Sequence, residues 1–429
     1  FKHPTSHPPA VMMDSETWSI GSLNPEAREV AADSKLLRFS FFYAGIGSLL
    51  AWQVVLTFIH SFDCNVFLGR RFYGAGWAFW CTIVYSLMVV VAQLVLTSRT
   101  VVARIPFTLR WNVAAIAVAL SLIGLLLCHT YITEDSLGMG FALGISCMAC
   151  MGAAAGIWQA TAFGLAGCLS PMFAQSLMLG QGMGGALTSI IGFAFAGTQT
   201  GLIISFVLAA AFELGGIPVL YVMRRHPTVQ EKLSGSKPPS VQGASPPGSP
   251  MLTRARSSGQ ILVQNAWPQA ITVGAVFMFT FTIFPGVVSG FTPGSRVSLL
   301  ISTFQMLDVV GRFAPQWSAL HIQDGKLVSV LAAARVLFIP LFILMQRESM
   351  QSWAQSAAVQ FTVMVLLAFS NGYVSTLSMM LGPEQRGISP DEKSPVGTVM
   401  SLSLVTGIFI GSMLALPTQI GLTAAKACS

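Results

Sequence analysis

Stretches of about twenty apolar residues, each long enough to cross a bilayer as a helix, recur along nearly the whole of this chain. They fall at about 39–60, 73–97, 110–132, 137–166, 171–197, 200–223, 267–290, 296–318, 327–346, 354–381 and 395–418. A sequence with this repetition has few options for folding. Only 9% of its 429 residues are charged, 53% are hydrophobic and the mean hydropathy is +0.69. Soluble domains carry about 25% charged residues, so a soluble globular fold is excluded. The expectation is an all-α polytopic membrane protein with 11 transmembrane helices in a 6+5 arrangement. The fourth and fifth runs nearly merge, and Cys168-Leu169-Ser170-Pro171 is the only break between them.

The division comes from the polar stretch 224–264, rich in Ser, Pro, Gly and basic residues, which reads as a flexible basic cytoplasmic linker. It separates an N-terminal six-helix bundle, 39–223, from a C-terminal five-helix bundle, 265–429. Residues 1–38 read as a cytoplasmic tail without the apolar core of a cleavable signal peptide. Two Ser-Pro steps, at Ser245 and Ser249, and the segment Arg254-Ala-Arg256-Ser257-Ser258 fall in the linker, where phosphorylation competes with a plain solvated role. With the N-terminus inside, 16 Lys and Arg residues lie in inner segments against 5 in outer ones. That bias orients the N-terminus to the cytoplasm and the C-terminus outside. The formal charge of +7 therefore belongs to cytoplasmic loops, not to a nucleic-acid polymer as partner. Cys147 and Cys150 form a C-x-x-C inside an apolar run with no second pair or histidine beside it, and read as small packing residues; no metal or cofactor is expected.

Polar residues at membrane depth carry the functional information. Asp308 and Arg312 are four residues apart in the eighth run, so both project from one face of a helix. A charge at the bilayer centre costs at least about 2.5–3.5 kcal/mol on insertion scales. Such a pair needs a partner, a polar cavity or a substrate; the competing reading is an ion pair that locks helices together. Gln305, one turn before Asp308, extends the same stripe. Trp52 and Gln53 sit mid-span in the first run, where a Trp is either core filler or a flat wall for an aromatic ligand. Gln159 in the fourth run has an amide that both donates and accepts, suited to the edge of a heterocyclic base or to an interhelical hydrogen bond. Gln181 and Asn371 read as structural. Arg335 is expected to pair with backbone carbonyls or a cytoplasmic-side acid, and Glu213 has no evident partner. Gly152-xxx-Gly156, Gly180-xxx-Gly184 and Gly407-xxx-Gly411 mark close helix contacts, while Pro285 and Pro340 mark kinks.

Several of these stretches together resemble the equilibrative nucleoside transporter family. Leu50-Ala51-Trp52-Gln53 is similar to its first-helix signature, and Gln159 with Phe163-Gly164-Leu165-Ala166-Gly167 and Gly180-Gln181-Gly182 to its fourth and fifth helices. Asp308-Val-Val-Gly-Arg312 matches its eighth-helix Asp-x-x-Gly-Arg. Arg335-x-x-Phe338-x-Pro340, Phe369-Ser370-Asn371-Gly372-Tyr373 through Gly382-Pro383, and Gly397-Thr398-Val399-Met400 resemble its last three. The resemblance runs from about residue 39 to 418 and implies a fold similar to the major facilitator one. It also implies nucleoside transport, with nucleobases as further cargo, by alternating access. Carried onto this chain, it implies that Asp308 and Arg312 hold the ribose hydroxyls, Gln159 reads the base, and Trp52 and Gln53 line the cavity; Gln305, from its place on the polar stripe, is expected to join the substrate-binding residues. Ala51 and Gln53 stand where the family usually has Pro and Asn, which bears on substrate preference. The expected partners are a nucleoside and the lipid bilayer, with a monomeric carrier in the plasma membrane. Facilitated diffusion is the leading mode and proton-coupled uptake, through Asp308 or Glu213, the variant. An intramembrane enzyme lacks the motifs it would need. A channel would need rings of like groups along a pore rather than one Asp–Arg pair.

Overall fold

A computed structural model of the chain describes residues 25–73, 76–195, 198–235, 265–284, 287–288, 294–346 and 356–423. Among these the chain is almost wholly helical and forms no β-strand. The first half comprises α1 (Pro25–Thr57), α2 (Trp77–Leu96), α3 (Phe107–Tyr131), α4 (Leu137–Gly167), α5 (Pro171–Ala194) and α6 (Gln199–Arg225). The second comprises α7 (Trp267–Ile283), α8 (Gly294–Phe313), α9 (Gly325–Met345), α10 (Ala357–Leu381) and α11 (Lys393–Thr423). Within the stretch expected to be linker, Pro227–Gly235 is a short helix. Residues 236–264 lie outside the described residues, and with them Ser245, Ser249 and the segment 254–258.

Eight helices among the described residues are long and apolar enough to cross a membrane: α1, α2, α3, α4, α6, α9, α10 and α11. The other three differ for physical reasons. α7 is apolar but has only 17 residues. α5 and α8 are long enough, but glutamines, serines and the Asp308–Arg312 pair dilute their apolar content. Side chains such as Leu94, Leu120, Leu208, Ile271 and Leu337 are exposed on the outside, while Gln93, Gln181, Glu213, Asp308 and Arg335 are buried. That inversion suits a protein whose solvent is hydrocarbon.

Local sequence explains the breaks. Between α4 and α5, Ser170 is extended and Pro171 opens the new helix, where its missing N–H costs nothing. In α9 the expected disturbance at Pro340 lies just ahead of the proline, where the helix tightens into a 3₁₀ turn over Arg335–Leu337. Pro340 has no N–H for the carbonyl of Val336, and the turn takes up the mismatch. Pro285 lies outside the described residues.

The packing repeats at an offset of six helices. α1 lies along α5 as α7 lies along α11, and α2 along α4 as α8 along α10. The two sets then meet through α4 with α11 and α5 with α8. Glycines permit the closest approaches. A Cβ at Gly180 would collide with the Phe42 carbonyl of α1, and one at Gly407 with the Gly274 carbonyl of α7. Between the halves, a Cβ at Gly397 of α11 would collide with the Phe163 carbonyl of α4.

Candidate functional site

The two sets of helices enclose a cavity of about 670 Å³, within the roughly 300–1,000 Å³ of ordinary ligand pockets. Among the described residues its lining extends toward one end of the bundle. Its wall there is made by the end of α1 (Thr57, Phe58), the start of α2 (Phe79), the end of α5 (Gly192) and α11 near Met413. Gln181, Gly182, Asp308, Arg312 and Asn371 form its deep end. Beyond them the halves close on each other, with α4 and α11 in backbone contact at Phe163 and Gly397.

All six residues singled out from sequence line this one cavity: Trp52, Gln53, Gln159, Gln305, Asp308 and Arg312. They come from α1, α4 and α8, so both halves supply the wall. Trp52 stacks on Tyr85 of α2 with ring centroids 4.4 Å apart and planes 8° from parallel, which holds its ring as a flat surface. Gln305 Nε2 donates to Gln53 Oε1 at 3.3 Å across the two halves. Gln305 fits because residue 185 is glycine; a Cβ there would collide with its amide. Gln159 is buried, yet among the described residues its Nε2 has no hydrogen-bond partner. A buried amide donor left unpaired costs about 1–3 kcal/mol, and an acceptor brought within its reach would recover it.

Asp308 and Arg312 form a buried ion pair, Arg312 Nε donating to Asp308 Oδ2 at 2.7 Å. The same guanidinium reaches across to α5, where Nη1 donates to the Met178 carbonyl at 2.9 Å. Gly182 leaves room for it, since a Cβ there would lie 2.8 Å from Arg312 Cδ. The other carboxylate oxygen, Asp308 Oδ1, accepts from Asn371 Nδ2 at 2.7 Å. Both readings of the pair therefore hold in part: it ties α8 to α5 and it also borders a cavity.

Sequence reasoning missed some of the wall. Asn371 and Gln181, read as structural, both line the cavity, although Gln181 also donates to Ser48 Oγ at 3.1 Å. Phe277 and Phe281, one turn apart on α7, and Phe284, stacked on Phe304 at 4.1 Å, form an aromatic patch. Their spacing was visible, but which face of α7 turns inward was not. Arg335 is buried against the Leu367 carbonyl, Ser370 and Thr280 rather than an acid, so the carbonyl half of that expectation stands. Glu213 is outside the cavity lining, beside Gly47 and Trp158, and neither carboxyl oxygen has a hydrogen-bond partner among the described residues. Cys147 and Cys150 are free thiols, and no cluster of metal-ligating side chains occurs among the described residues.

Comparison with known proteins places this geometry. A family model described as nucleoside transporter matches residues 145–420. Nucleoside transporter 1.2 of Leishmania donovani is 24% identical over 425 residues, covering 80% of this chain and 84% of the relative. Adenosine transporter 1 of Crithidia fasciculata is 34% identical over 180 residues, 40% of this chain; the chain spans only 35% of that relative's length. Equilibrative nucleoside transporter 1 of Rattus norvegicus is 29% identical over 297 residues, covering 60% of this chain and 64% of the relative. Among solved structures, a bacterial homologue of the iron transporter ferroportin in an outward-facing state superposes with a TM-score of 0.61 at 12% identity. It covers 91% of this chain and 96% of its own. The major facilitator proton:xylose symporter XylE gives 0.59 at 11% identity, covering 92% and 96%. At such identities the likeness is one of fold alone, a fold of the major facilitator type. The family match, over well more than half the chain, is independent of it: this protein belongs to the nucleoside transporter family.

Proposed function

We propose that this protein carries nucleosides, and nucleobases as secondary cargo, across a membrane by alternating access, as facilitated diffusion. The observation that carries the reading is a single cavity in which a buried carboxylate–guanidinium pair, an unpartnered glutamine donor and a stacked tryptophan wall converge. A nucleoside has the matching parts. Its vicinal hydroxyls donate to the lone pairs of Asp308 left free by Arg312 and Asn371, and Arg312 orients the sugar. The Gln159 amide reads the base edge, while Trp52, Gln53 and Gln305 bound the ring. The placement of the cavity lining supports the alternating-access reading. With the halves closed below Arg312 and parted above it, rocking one set of helices against the other exchanges the open end.

The same reading assigns eleven spans, six in the bundle 39–223 and five in 265–429, joined by a cytoplasmic linker over 224–264. With the N-terminus cytoplasmic and the C-terminus outside, the open end faces outward, as expected of a monomeric carrier in the plasma membrane. Radiolabelled adenosine uptake into cells lacking their own nucleoside transport, with adenosine, inosine, uridine and hypoxanthine as competitors, tests the function. Saturable uptake inhibited by unlabelled nucleosides is the expected result; uptake equal to that of untransfected cells refutes it.

One observation favours a second mode. Glu213, outside the cavity lining, keeps a carboxyl without partners among the described residues, a placement known for groups that take part in proton movement across membranes. Proton-coupled uptake rises in acid and collapses with a protonophore, whereas facilitated diffusion does neither.

A further inference from the structure

Asp308 receives a second hydrogen bond that the Asp–Arg pair does not need. Its Oδ1 accepts from Asn371 Nδ2 at 2.7 Å, and Asn371 Oδ1 accepts from Thr280 Oγ1 at 2.8 Å and from Arg335 Nη2 at 3.4 Å. Arg335 Nη2 also donates to Thr280 Oγ1 at 2.6 Å, and Nη1 to the Leu367 carbonyl at 3.1 Å and to Ser370 Oγ. Arg335 is fully buried, and no carboxylate lies within ion-pair distance of it among the described residues. One carboxylate therefore stands between two guanidinium groups, bonded directly to Arg312 and through an amide to Arg335.

We infer that Asn371 and Arg335 are positioning residues that lock the plane of the Asp308 carboxylate so that its remaining lone pairs face a sugar's vicinal hydroxyls. This rests on the nucleoside reading of the cavity. The physical need is specific. The terminal torsion of an aspartate is broad, and Arg312 fixes only one of the two oxygens, leaving the carboxylate free to turn about that contact. A second fixed point on Oδ1 removes the freedom. A carboxylate offers about four lone-pair sites, so each oxygen still has one for a ligand.

Asparagine suits the junction because an arginine only donates and a carboxylate only accepts. An amide presents its oxygen to Arg335 and its nitrogen to Asp308, and neither neighbour tolerates the flipped arrangement. The backbone holds the register: a Cβ at Gly372 would collide with the Asp308 carbonyl, and one at Gly311 with the Phe369 carbonyl, so α8 and α10 are in contact at this level.

The test compares inhibition of radiolabelled adenosine uptake by unlabelled adenosine and by 2′,3′-dideoxyadenosine, which lacks both hydroxyls. In the wild type, the dideoxy compound should need at least about tenfold higher concentration, the size expected for losing hydrogen bonds to a charged group. In Asn371→Ala and Arg335→Met, surface expression being matched by biotinylation, that ratio should fall to about two- or threefold, with affinity for the dideoxy compound nearly unchanged. Arg335→Lys should restore it only in part, because an ammonium cannot span Thr280, Leu367 and Asn371 together. If Asn371→Ala does not reach the surface, Asn371→Ser and Thr280→Val carry the same comparison. A wild-type ratio retained in the variants, with only the maximal rate lowered, would overturn the positioning role while leaving the clamp intact. A wild type that does not distinguish the two compounds would overturn the clamp itself, and the positioning role with it.

Discussion

Gln305 on α8 donates from its amide to the side-chain amide oxygen of Gln53 on α1 at 3.3 Å, and so joins the two halves of the protein across the cavity. The contact lies between residues 252 positions apart in sequence, and both also line the cavity. Under the alternating access proposed above, a tie of this kind would have to break or slide. Gln53→Ala and Gln305→Ala should each weaken adenosine affinity by roughly 2–10-fold, the range of one net hydrogen bond. The double variant should lose less than the product, since the two act as one contact. Kinetics of the four proteins measured side by side check this, and strict multiplicativity would separate the glutamines.

Arg312 has two jobs at once, on Asp308 and on the Met178 carbonyl. Removing one partner of a buried pair costs about 3–5 kcal/mol, because the other charge stays buried and unpaired. Asp308→Asn and Arg312→Ala should therefore reduce uptake to near background at matched surface expression. Arg312→Lys should not rescue it, because a point charge cannot reach both acceptors in the fork geometry. Wild-type uptake by any of the three would remove the pair from transport.

Gln159 lines the cavity, and its Nε2 is buried with no hydrogen-bond partner among the described residues. Gln159→Ala should reorder inhibition by adenosine, inosine and uridine while leaving the penalty for a missing ribose in place. A competition series in which the order of bases is unchanged takes Gln159 out of base recognition.

Gly372 lies against the Asp308 carbonyl with no room for a Cβ. Gly372→Ala should push α10 from α8 and destabilise the protein by about 1–3 kcal/mol, the usual cost of overpacking. Thermal unfolding in detergent reads the loss, and uptake should fall with it, since Asn371 moves on the same helix. An unchanged unfolding temperature would contradict the contact.

Glu213 is wholly buried with both oxygens unpartnered among the described residues. Glu213→Gln should preserve folding and basal uptake but remove any stimulation by acid. Glu213→Lys should abolish surface expression, since it buries an ammonium in the tight space beside Gly47 and Trp158. Acid stimulation that survives in Glu213→Gln places the proton elsewhere.

Much of this molecule follows from its residues read along the chain. Runs of apolar side chains with 9% charge leave helices in lipid as the outcome, because backbone groups in hydrocarbon must pair within their own segment. Asp308 and Arg312 stood out for the same reason: a charge is too costly at that depth to be idle. Helical spacing put them on one face, and Pro171 and Pro340 marked a start and a disturbance. What the chain order does not contain is which faces meet. Asn371 read as an ordinary polar residue of α10 until glycine contacts at 311 and 372 brought it against Asp308. Arg335 had no partner within its own helix, and its hydrogen bonds lie on α7 and α10. The aromatic wall of α7 and the link from Gln53 to Gln305 likewise depend on how helices are rotated and stacked. Local chemistry decides that a segment is helical and that a charge must be answered; only packing between distant segments decides what answers it.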